Sequence, residues 1–242
     1  MRVLVTGGAG FIGSHVVDRL LAAGMAPRIF DVRQSEHHRT DTVDTVLGDL
    51  LDRDALQAAM KGCDAVVHLA AAADVDDVAL RPAEAEATNA RGTLNVLEAA
   101  RRAGVSRVVY ASTIWVYGSA TGTVDEDHTV ELPDHLYTAT KLAGEMYCRS
   151  YAALYGLDCT VLRFGIPYGP RRALWTFTGW ALAAAGLVTV YMSEFREALH
   201  LAGPDESRVL LGLAGGALAI AIADAGLRLR RTGEERLAAD RA

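Results

Sequence analysis

Short apolar runs alternate with longer amphipathic stretches over residues 1–166 of the chain. The apolar runs predict strands, and the stretches between them, in which apolar side chains recur at helical spacing, predict helices. Strands that alternate with helices indicate a parallel sheet covered on both faces, because each helix returns the chain to the edge where the next strand begins. The predicted strands cover residues 2–6, 28–31, 45–50, 65–70, 107–112 and 159–163. The predicted helices cover residues 14–23, 52–61, 84–103 and 137–155.

This pattern places the chain in the α/β class, with a doubly wound parallel sheet of the Rossmann type. Ligands of such sheets bind outside the carboxyl ends of the strands, so candidate site residues are expected there. The composition changes abruptly near residue 171. We therefore predict two parts, a ligand-binding catalytic domain over residues 1–171 and an atypical apolar helical segment with a charged tail over residues 172–242.

A glycine-rich turn joins the first predicted strand to the first predicted helix. Its spacing satisfies both Gly8-x-Gly10-x-x-Gly13 and Gly7-x-x-Gly10-x-x-Gly13. Glycines let the backbone turn tightly and approach a pyrophosphate, and the start of the helix presents unpaired N–H groups to the phosphates. A strand before the motif and a helix after it make the match credible. The turn predicts a dinucleotide site that includes Gly7, Gly10, Phe11, Ile12 and Gly13.

The second predicted strand ends in Asp31, roughly 20 residues past the glycines, where dinucleotide folds place a carboxylate that accepts hydrogen bonds from the ribose hydroxyls. A carboxylate repels a 2′-phosphate, so the sequence favours NAD over NADP, and Arg33 two residues later weakens that preference. The alternative is that Asp31 caps a strand and the glycines form an ordinary tight turn.

A tyrosine and a lysine, Tyr137 and Lys141, lie one helical turn apart on the same face of a predicted helix. A phenol has an ordinary pKa near ~10, and a nearby ammonium group favours the phenolate and lowers that pKa. Tyr137 can then remove a proton from a substrate hydroxyl while hydride leaves the same carbon for a nicotinamide. Ser112 and Thr113, at the end of the fifth predicted strand, can hydrogen-bond the same substrate oxygen. The alternative is a surface tyrosine–lysine pair.

With these motifs, residues 1 to about 171 resemble the extended short-chain dehydrogenase/reductases, specifically the NAD-dependent epimerase/dehydratase family. The segments that carry the resemblance are 6–13 (TGGAGFIG), 48–50 (GDL), 68–71 (HLAA), 89–93 (NARGT), 110–113 (YAST), 116–118 (VYG), 137–145 (YTATKLAGE), 162–164 (LRF) and 168–170 (YGP). Together they are far more specific than any one of them alone.

The resemblance implies a role for each matching residue. Thr113 falls where the family has its catalytic hydroxyl, Tyr137 would be the acid/base, and Lys141 would orient the nicotinamide ribose. The other cofactor-binding positions are Asp49 and Leu50 at the adenine, Leu69, Ala70 and Ala71 at the nicotinamide, and Ser112 and Asn89. For Asn89, a helix-packing or capping amide is an equal alternative.

The resemblance also narrows the reaction. Nucleotide-sugar 4,6-dehydratases of the family carry an Asp-Glu pair after the catalytic threonine, whereas this chain has Ile114 and Trp115, which cannot move protons. Dehydration is therefore disfavoured, and epimerisation or simple oxidoreduction of a nucleotide sugar or a related hydroxyl compound remains. Residues 164–167 lack an asparagine that many family members use near the sugar nucleotide. An NAD-binding sensor or assembly protein with impaired catalysis is the alternative.

Charge and cysteine usage limit the partners. The net charge is −6, with no basic stripe, which argues against a nucleic-acid surface. Cys63, Cys148 and Cys159 form no CxxC pair and have no metal-ligand spacing, so no metal site is expected. His37 and His38 are adjacent and are expected on a solvated loop. Helices at 84–103 and 137–155 pair across dimers in similar proteins, which makes a homodimer plausible by analogy.

Two apolar stretches dominate the C-terminal part. Residues 173–192 carry no charge, residues 209–227 carry only Asp224, and a helix needs ~20 residues to cross a membrane. The connecting loop carries four acidic residues beside its two arginines and is less basic than the outer flanks. One interpretation is therefore a two-span hairpin, residues 173–227, that tethers a cytoplasmic catalytic domain to the inner face of a membrane. The other is a helical cap, because glycine and alanine are abundant here and glycine lowers helix propensity.

Overall fold

The computed structural model describes residues 1–120, 122–130, 132–165, 167 and 171. The strands of these residues are β1 (Arg2–Thr6), β2 (Ala26–Asp31), β3 (Asp44–Leu47), β4 (Ala65–His68), β5 (Arg107–Thr113) and β6 (Asp158–Phe164). The helices are α1 (Phe11–Ala22), α2 (Arg53–Met60), α3 (Val75–Leu80), α4 (Pro82–Glu86), α5 (Gly92–Ala103) and α6 (Leu136–Tyr155). A π-helical turn (Ala87–Arg91) precedes α5, and a 3-10 turn (Ile114–Tyr117) follows β5.

The strands of the described part form one parallel sheet in the order β3-β2-β1-β4-β5-β6. After β1, the chain adds β2 and β3 on one side of that strand and then β4, β5 and β6 on its other side. Connections therefore leave to opposite sides at this point, and a crevice opens between the ends of β1 and β4. The predicted Rossmann-type sheet is confirmed, and the crevice fixes where a ligand is expected.

Apolar side chains on both faces of the sheet explain why helices cover it on two sides. In β1, Leu4 packs with Phe30 in one core, whereas Val5 packs with Val17 of α1 in a second core on the opposite face. All four side chains are fully buried. Successive strand residues point to opposite faces, so an uninterrupted apolar run requires cover on both.

Several predicted element boundaries were wrong by a few residues. The predicted helix at 14–23 begins three residues earlier, at Phe11, because Gly10 serves as its N-cap. The predicted strands at 45–50 and 65–70 are each shorter, since β3 ends at Leu47 and β4 at His68. A local turn ends β3, in which the N–H of Leu51 donates to the Asp49 carboxylate at 2.9 Å. These shorter strands place the predicted cofactor residues in loops at the ligand-binding edge.

The predicted helix at 84–103 is interrupted by a π-helical turn. The chain instead forms α4, the turn Ala87–Arg91 and then α5, which ends at Gly104 in the left-handed region, with φ of 72°. A π turn inserts one extra residue into the helical repeat, which the spacing of apolar positions does not encode. The inserted turn contains Asn89, whose side chain is buried.

The loop after β2 also differs from expectation at one of its two histidines. His38 is buried rather than solvated, because its Nδ1 lies 3.2 Å from Ser35 Oγ and its Nε2 lies 2.8 Å from the Asp18 carboxylate of α1. His37 is exposed, as predicted. The pair therefore contributes one packing side chain and one solvent-facing side chain.

The proposed membrane hairpin or helical cap, residues 173–227, lies outside the residues that the structure describes. Among the described residues, helices that combine the length and the apolar character needed to span a membrane are absent.

Candidate active site

The glycine turn after β1 has no room for side chains. Gly7 adopts φ of 72°, and a Cβ there would lie 2.6 Å from the backbone nitrogen of Ala70. A Cβ on Gly13 would collide with the carbonyl oxygen of Gly7, so α1 approaches the turn at backbone distance. The N–H of Gly10 donates to the Gly7 carbonyl at 3.0 Å and closes the turn. The start of α1, which contains Phe11 and Ile12, therefore lies at backbone distance from the turn.

A cleft of about 470 Å³ lies over this turn. It collects residues from the ends of β1, β2, β3 and β4, which are far apart in sequence. The predicted cofactor residues that line it are Gly7, Gly10, Asp31, Asp49, Leu50, Leu69, Ala70 and Ala71. Because the topology reverses between β1 and β4, these loops can converge only at this edge of the sheet.

Asp31 is held in place at the end of β2. Its Oδ2 accepts the N–H of Ala9 at 3.0 Å, and its Oδ1 accepts the N–H of Arg33 at 3.2 Å. Each oxygen keeps further acceptor capacity, so the carboxylate can also receive hydrogen bonds from two hydroxyl groups. The arrangement suits the vicinal hydroxyls of a ribose.

The tyrosine and the lysine lie in the first two turns of α6. Tyr137 is the second residue of the helix, and Lys141 follows one turn later with its side chain buried. The Lys141 ammonium donates to the carbonyl oxygen of Ala111 in β5 at 2.9 Å and lies 5.9 Å from the centre of the Tyr137 ring. The lysine thus joins the helix to the end of the neighbouring strand.

Burial dominates the protonation of this pair. It lowers the pKa of Lys141 to about 8 and raises the pKa of Tyr137 above its usual value. The expectation that Lys141 lowers the pKa of Tyr137 was therefore wrong for the chain by itself. The ammonium is hydrogen-bonded to Ala111 and lies too far from the ring to offset desolvation. The chain alone holds Tyr137 as a neutral phenol at neutral pH.

Thr113 and Ser112 end β5 with their hydroxyl groups in different surroundings. Thr113 Oγ1 accepts the N–H of Trp115 at 3.3 Å and caps the 3-10 turn, whereas Ser112 Oγ donates to Glu145 at 2.5 Å. Adjacent strand residues face opposite sides of a sheet. The Ser112 hydroxyl is thus engaged with α6, and the expectation that both hydroxyls serve one substrate oxygen stays a prediction.

An ion pair that sequence reasoning missed lies beside these hydroxyls. Arg163 of β6 donates to both carboxylate oxygens of Glu145, at 2.8 and 3.1 Å, and to the hydroxyl of Tyr117 at 2.8 Å. This contact with Glu145 raises the pKa of Arg163 above its usual range. Glu145 lies two turns after Tyr137 on the same helix, and that spacing was the available signal. The network joins α6, β5, β6 and the 3-10 turn.

Asn89 links two parts of the site. Its Oδ1 accepts the N–H of Ala72 at 2.8 Å, and its Nδ2 donates to the Ala72 carbonyl at 2.9 Å and to Thr140 Oγ1 at 3.1 Å. Ala72 follows the predicted nicotinamide-side loop, and Thr140 lies on α6. The amide therefore holds the end of the cofactor cleft against the helix that carries Tyr137.

His68 at the end of β4 is fully buried between two hydroxyl groups. Its Nδ1 lies 2.7 Å from Thr6 Oγ1, and its Nε2 lies 3.0 Å from Thr93 Oγ1. Burial, together with the nearby Lys141 charge, lowers the pKa of His68 to about 3. The ring is neutral throughout the physiological range and serves the packing of β1 against α5.

The buried His68 should make the fold less stable in acid. In the unfolded chain this histidine binds a proton below about pH 6.5, whereas in the folded chain it stays neutral. The contribution of the neutral ring to the free energy of unfolding is therefore complete above that pH and falls as the pH decreases. We expect about 2 kcal/mol less free energy of unfolding at pH 5 than at pH 7 from this residue. Urea titrations of the wild-type chain and of His68→Gln at both values measure it. An equal pH dependence in the two proteins would contradict the assignment.

Comparison with known proteins places this fold and site in a family. The model of the NAD-dependent epimerase/dehydratase family matches residues 3–184. The dTDP-glucose 4,6-dehydratase of Streptomyces niveus is 36% identical over 192 residues, which cover 71% of this chain and 55% of the relative. The UDP-glucose 4-epimerase of Mycolicibacterium smegmatis is 39% identical over 188 residues, which cover 71% of this chain and 58% of the relative.

Solved structures agree with these matches. The Thermus thermophilus UDP-glucose 4-epimerase in complex with NAD superposes with a TM-score of 0.66 at 38% identity, covering 72% of this chain and 58% of that one. The chain thus spans somewhat more than half the length of the relatives it matches.

The glycine turn and the sheet order define a dinucleotide-binding protein of the short-chain dehydrogenase/reductase class. Within that class, the chain belongs to the NAD-dependent epimerase/dehydratase family. The predicted family membership is confirmed.

Proposed function

We propose that the chain is an NAD-dependent sugar-nucleotide epimerase in which Thr113, Tyr137 and Lys141 form the catalytic site. The observation that carries the proposal is the pair in the first two turns of α6, where the buried Lys141 ammonium lies 5.9 Å from the centre of the Tyr137 ring and is hydrogen-bonded to Ala111 of β5. The curated relatives include UDP-glucose 4-epimerases, which supports a nucleotide sugar as substrate.

The residues around the cleft suit NAD. The backbone of Gly7, Gly10 and Gly13 would hold the pyrophosphate, and the fixed carboxylate of Asp31 would receive the adenosine ribose hydroxyls. Asp49 and Leu50 line the cleft on the β3 side, and Leu69, Ala70 and Ala71 line it on the β4 side. When bound, NAD supplies reversible hydride acceptance at the sugar carbon.

The chain's own residues would manage the proton. As the phenolate, Tyr137 would take the hydroxyl proton of the sugar on its phenolic oxygen while the hydride leaves the same carbon, and it would give the proton back when the hydride returns to the opposite face of the sugar ring. Thr113 would orient the reacting oxygen, and the Lys141 charge would favour the phenolate once the site is complete. The overall change is the inversion of one carbon, with no net oxidation.

Epimerisation is favoured over dehydration by the residues after Thr113. Loss of water from a sugar needs an acid and a base near the carbons that lose the hydroxyl and the proton. The 3-10 turn presents Ile114 and Trp115 at these positions, both exposed and neither able to transfer a proton. The relatives include both dehydratases and epimerases, so the proposal of epimerisation rests on these two residues.

The reaction is tested by incubating the full chain and NAD with UDP-glucose or dTDP-glucose. An epimerase gives a product of unchanged mass that separates by chromatography, whereas a dehydratase gives a product lighter by one water. We expect the first result with at least one sugar nucleotide. NAD binding without turnover of any sugar nucleotide would contradict the proposal and favour the NAD-binding sensor or assembly protein.

Asp31 should set the preference for NAD. We expect Asp31→Asn to raise the affinity for NADP relative to NAD about five- to tenfold, because the substitution removes one negative charge next to the 2′ position. Calorimetric titration of both cofactors measures the ratio. Asp54→Asn, which removes a carboxylate from exposed α2, is the matched control. An unchanged ratio in Asp31→Asn would place the ribose elsewhere.

A further inference from the structure

The helix that carries Tyr137 begins with an unusual cap. His135 is the N-cap of α6, with extended backbone angles of φ −134° and ψ 152°. Its Nδ1 accepts the backbone N–H of Thr138 at 3.4 Å. Helix N-caps are most often Ser, Thr, Asn or Asp, whose side-chain oxygens accept this hydrogen bond at neutral pH. A histidine can do so only while the accepting nitrogen is unprotonated.

The hydrogen bonds of His135 define which nitrogen carries the proton. Since Nδ1 accepts from the Thr138 backbone, the neutral ring carries its hydrogen on Nε2, and the Thr138 hydroxyl lies 3.3 Å from Nδ1 and 3.1 Å from Nε2. Protonation of Nδ1 would turn this acceptor into a donor that faces another donor. It would also place a positive charge at the positive end of the helix dipole.

The same ring touches the proposed acid/base. The imidazole of His135 stacks on the phenol of Tyr137 with an interplanar angle of 11° and 6.4 Å between ring centres. The indole of Trp115 packs edge-on against the same imidazole, with 5.4 Å between ring centres and an interplanar angle of 74°. The cap and the aromatic contact therefore act on the same residue, and both depend on one imidazole.

We propose that His135 is a positioning residue that holds Tyr137 in place while its ring is neutral and releases the first turn of α6 when the ring is protonated. The inference rests on the proposed function, in which Tyr137 transfers the proton. It predicts that turnover decreases in acid for a local reason, separate from the global effect of His68.

The elements packed against α6 are α3, α4, α5, the π-helical turn, β5, β6 and the 3-10 turn, which carries the contacting Trp115. Besides Asp134 in the adjoining chain and Tyr137, Lys141 and Glu145 on α6, the titratable or charged groups of these elements are Asp76, Asp77, Glu84, Glu86, Arg91, Glu98, Arg101, Arg102, Arg107, Tyr110, Tyr117, Asp158, Cys159 and Arg163. Of these, Tyr137 is the one in ring contact with His135.

The experiment compares three variants of the full chain with the wild type between about pH 8 and about pH 5, the range in which histidine titrates. His135→Asn keeps a cap that does not titrate, and His135→Ala removes the cap. His37→Asn removes an exposed histidine from the loop after β2 as the matched control. Two readouts are taken, amide hydrogen exchange of Thr138 corrected for its intrinsic pH dependence, and turnover of the sugar nucleotide.

We expect protection of the Thr138 amide to fall about fivefold towards acid in the wild type and in His37→Asn, the size of effect that N-cap removal produces. In His135→Asn, protection of the Thr138 amide should stay constant with pH, and in His135→Ala it should be low at every pH. Turnover should follow the same order, and its decrease towards acid should be smaller in His135→Asn than in the wild type. Equal exchange profiles in the wild type and His135→Asn would overturn the proposal, as would altered exchange with unaltered turnover profiles.

The two readouts separate this inference from the proposed function. If the wild type turns over no sugar nucleotide at any pH, the proposed function fails, whereas the exchange of Thr138 still decides whether His135 is a titratable cap.

Discussion

Replacing Tyr137 by phenylalanine should lower turnover by about 10²- to 10⁴-fold, the usual contribution of a general acid or base. Phenylalanine keeps the ring that stacks on His135 and removes only the hydroxyl group that would carry the proton. Affinity for NAD should remain, because the cleft is lined by the glycine turn and Asp31, and Tyr137 is not among its lining residues. Steady-state kinetics together with cofactor titration measure both quantities.

The matched control is Tyr155→Phe at the other end of the same helix. Tyr155 is exposed and packs against Tyr151 and Arg101, away from the first turn of α6. Its loss should leave turnover unchanged. Wild-type turnover in Tyr137→Phe would remove Tyr137 from the mechanism and would require another acid or base.

Replacing Gly144 by alanine should destabilise the fold by about 3 kcal/mol, at the upper end of the cost of overpacking a core. A Cβ at this position would collide with the ring and hydroxyl of Tyr110, which is fully buried. The hydroxyl also donates to the carbonyl oxygen of Lys141 at 3.2 Å, so α6 would have to move away from β5. Alanine's better helix propensity, worth about 1 kcal/mol, does not offset this collision.

Chemical denaturation of Gly144→Ala measures the change in the free energy of unfolding. Gly165→Ala, directly after β6, is the control, because its Cβ would meet only Ile114 Cδ1 at 3.9 Å, an ordinary contact distance. Combining Gly144→Ala with Tyr110→Phe should lose less than the sum of the two single changes. Stability equal to that of the wild type would show that α6 and β5 have more room than the structure indicates.

The two changes also differ in what they would do to catalysis. Tyr137→Phe removes a proton-carrying atom and leaves the helix in place. Gly144→Ala keeps every polar atom and displaces the helix that holds Lys141 against Ala111. A folded Gly144→Ala protein is therefore also expected to show reduced turnover, because Tyr137 and Lys141 would be displaced although every proton-carrying atom is kept.

The sequence by itself determined the elements whose signals are local. The glycine spacing after an apolar strand, the acid at the end of the next strand and the tyrosine–lysine pair one turn apart each depend on residues that are close in the chain. The alternation of apolar runs with amphipathic stretches likewise sufficed for the parallel sheet, because its central strands are covered by helices on both faces. The apolar pattern did not encode the π-helical turn at Ala87–Arg91, because one wider turn leaves the helical spacing of apolar residues before and after it unchanged.

Only the tertiary structure decided which side chains meet. Glu145 pairs with Arg163, Asn89 with Thr140, and the neutral His68 ring sits between hydroxyls from two other elements. These partners are 18 to 62 residues apart, so no local pattern signals them. Burial, which depends on the whole fold, also reversed the expected pKa shift of Tyr137. The spacing of residues along the chain indicates the fold and the types of reactive residue. The protonation state of each titratable side chain, and the side chains that it contacts, depend on the packing around it in the folded protein.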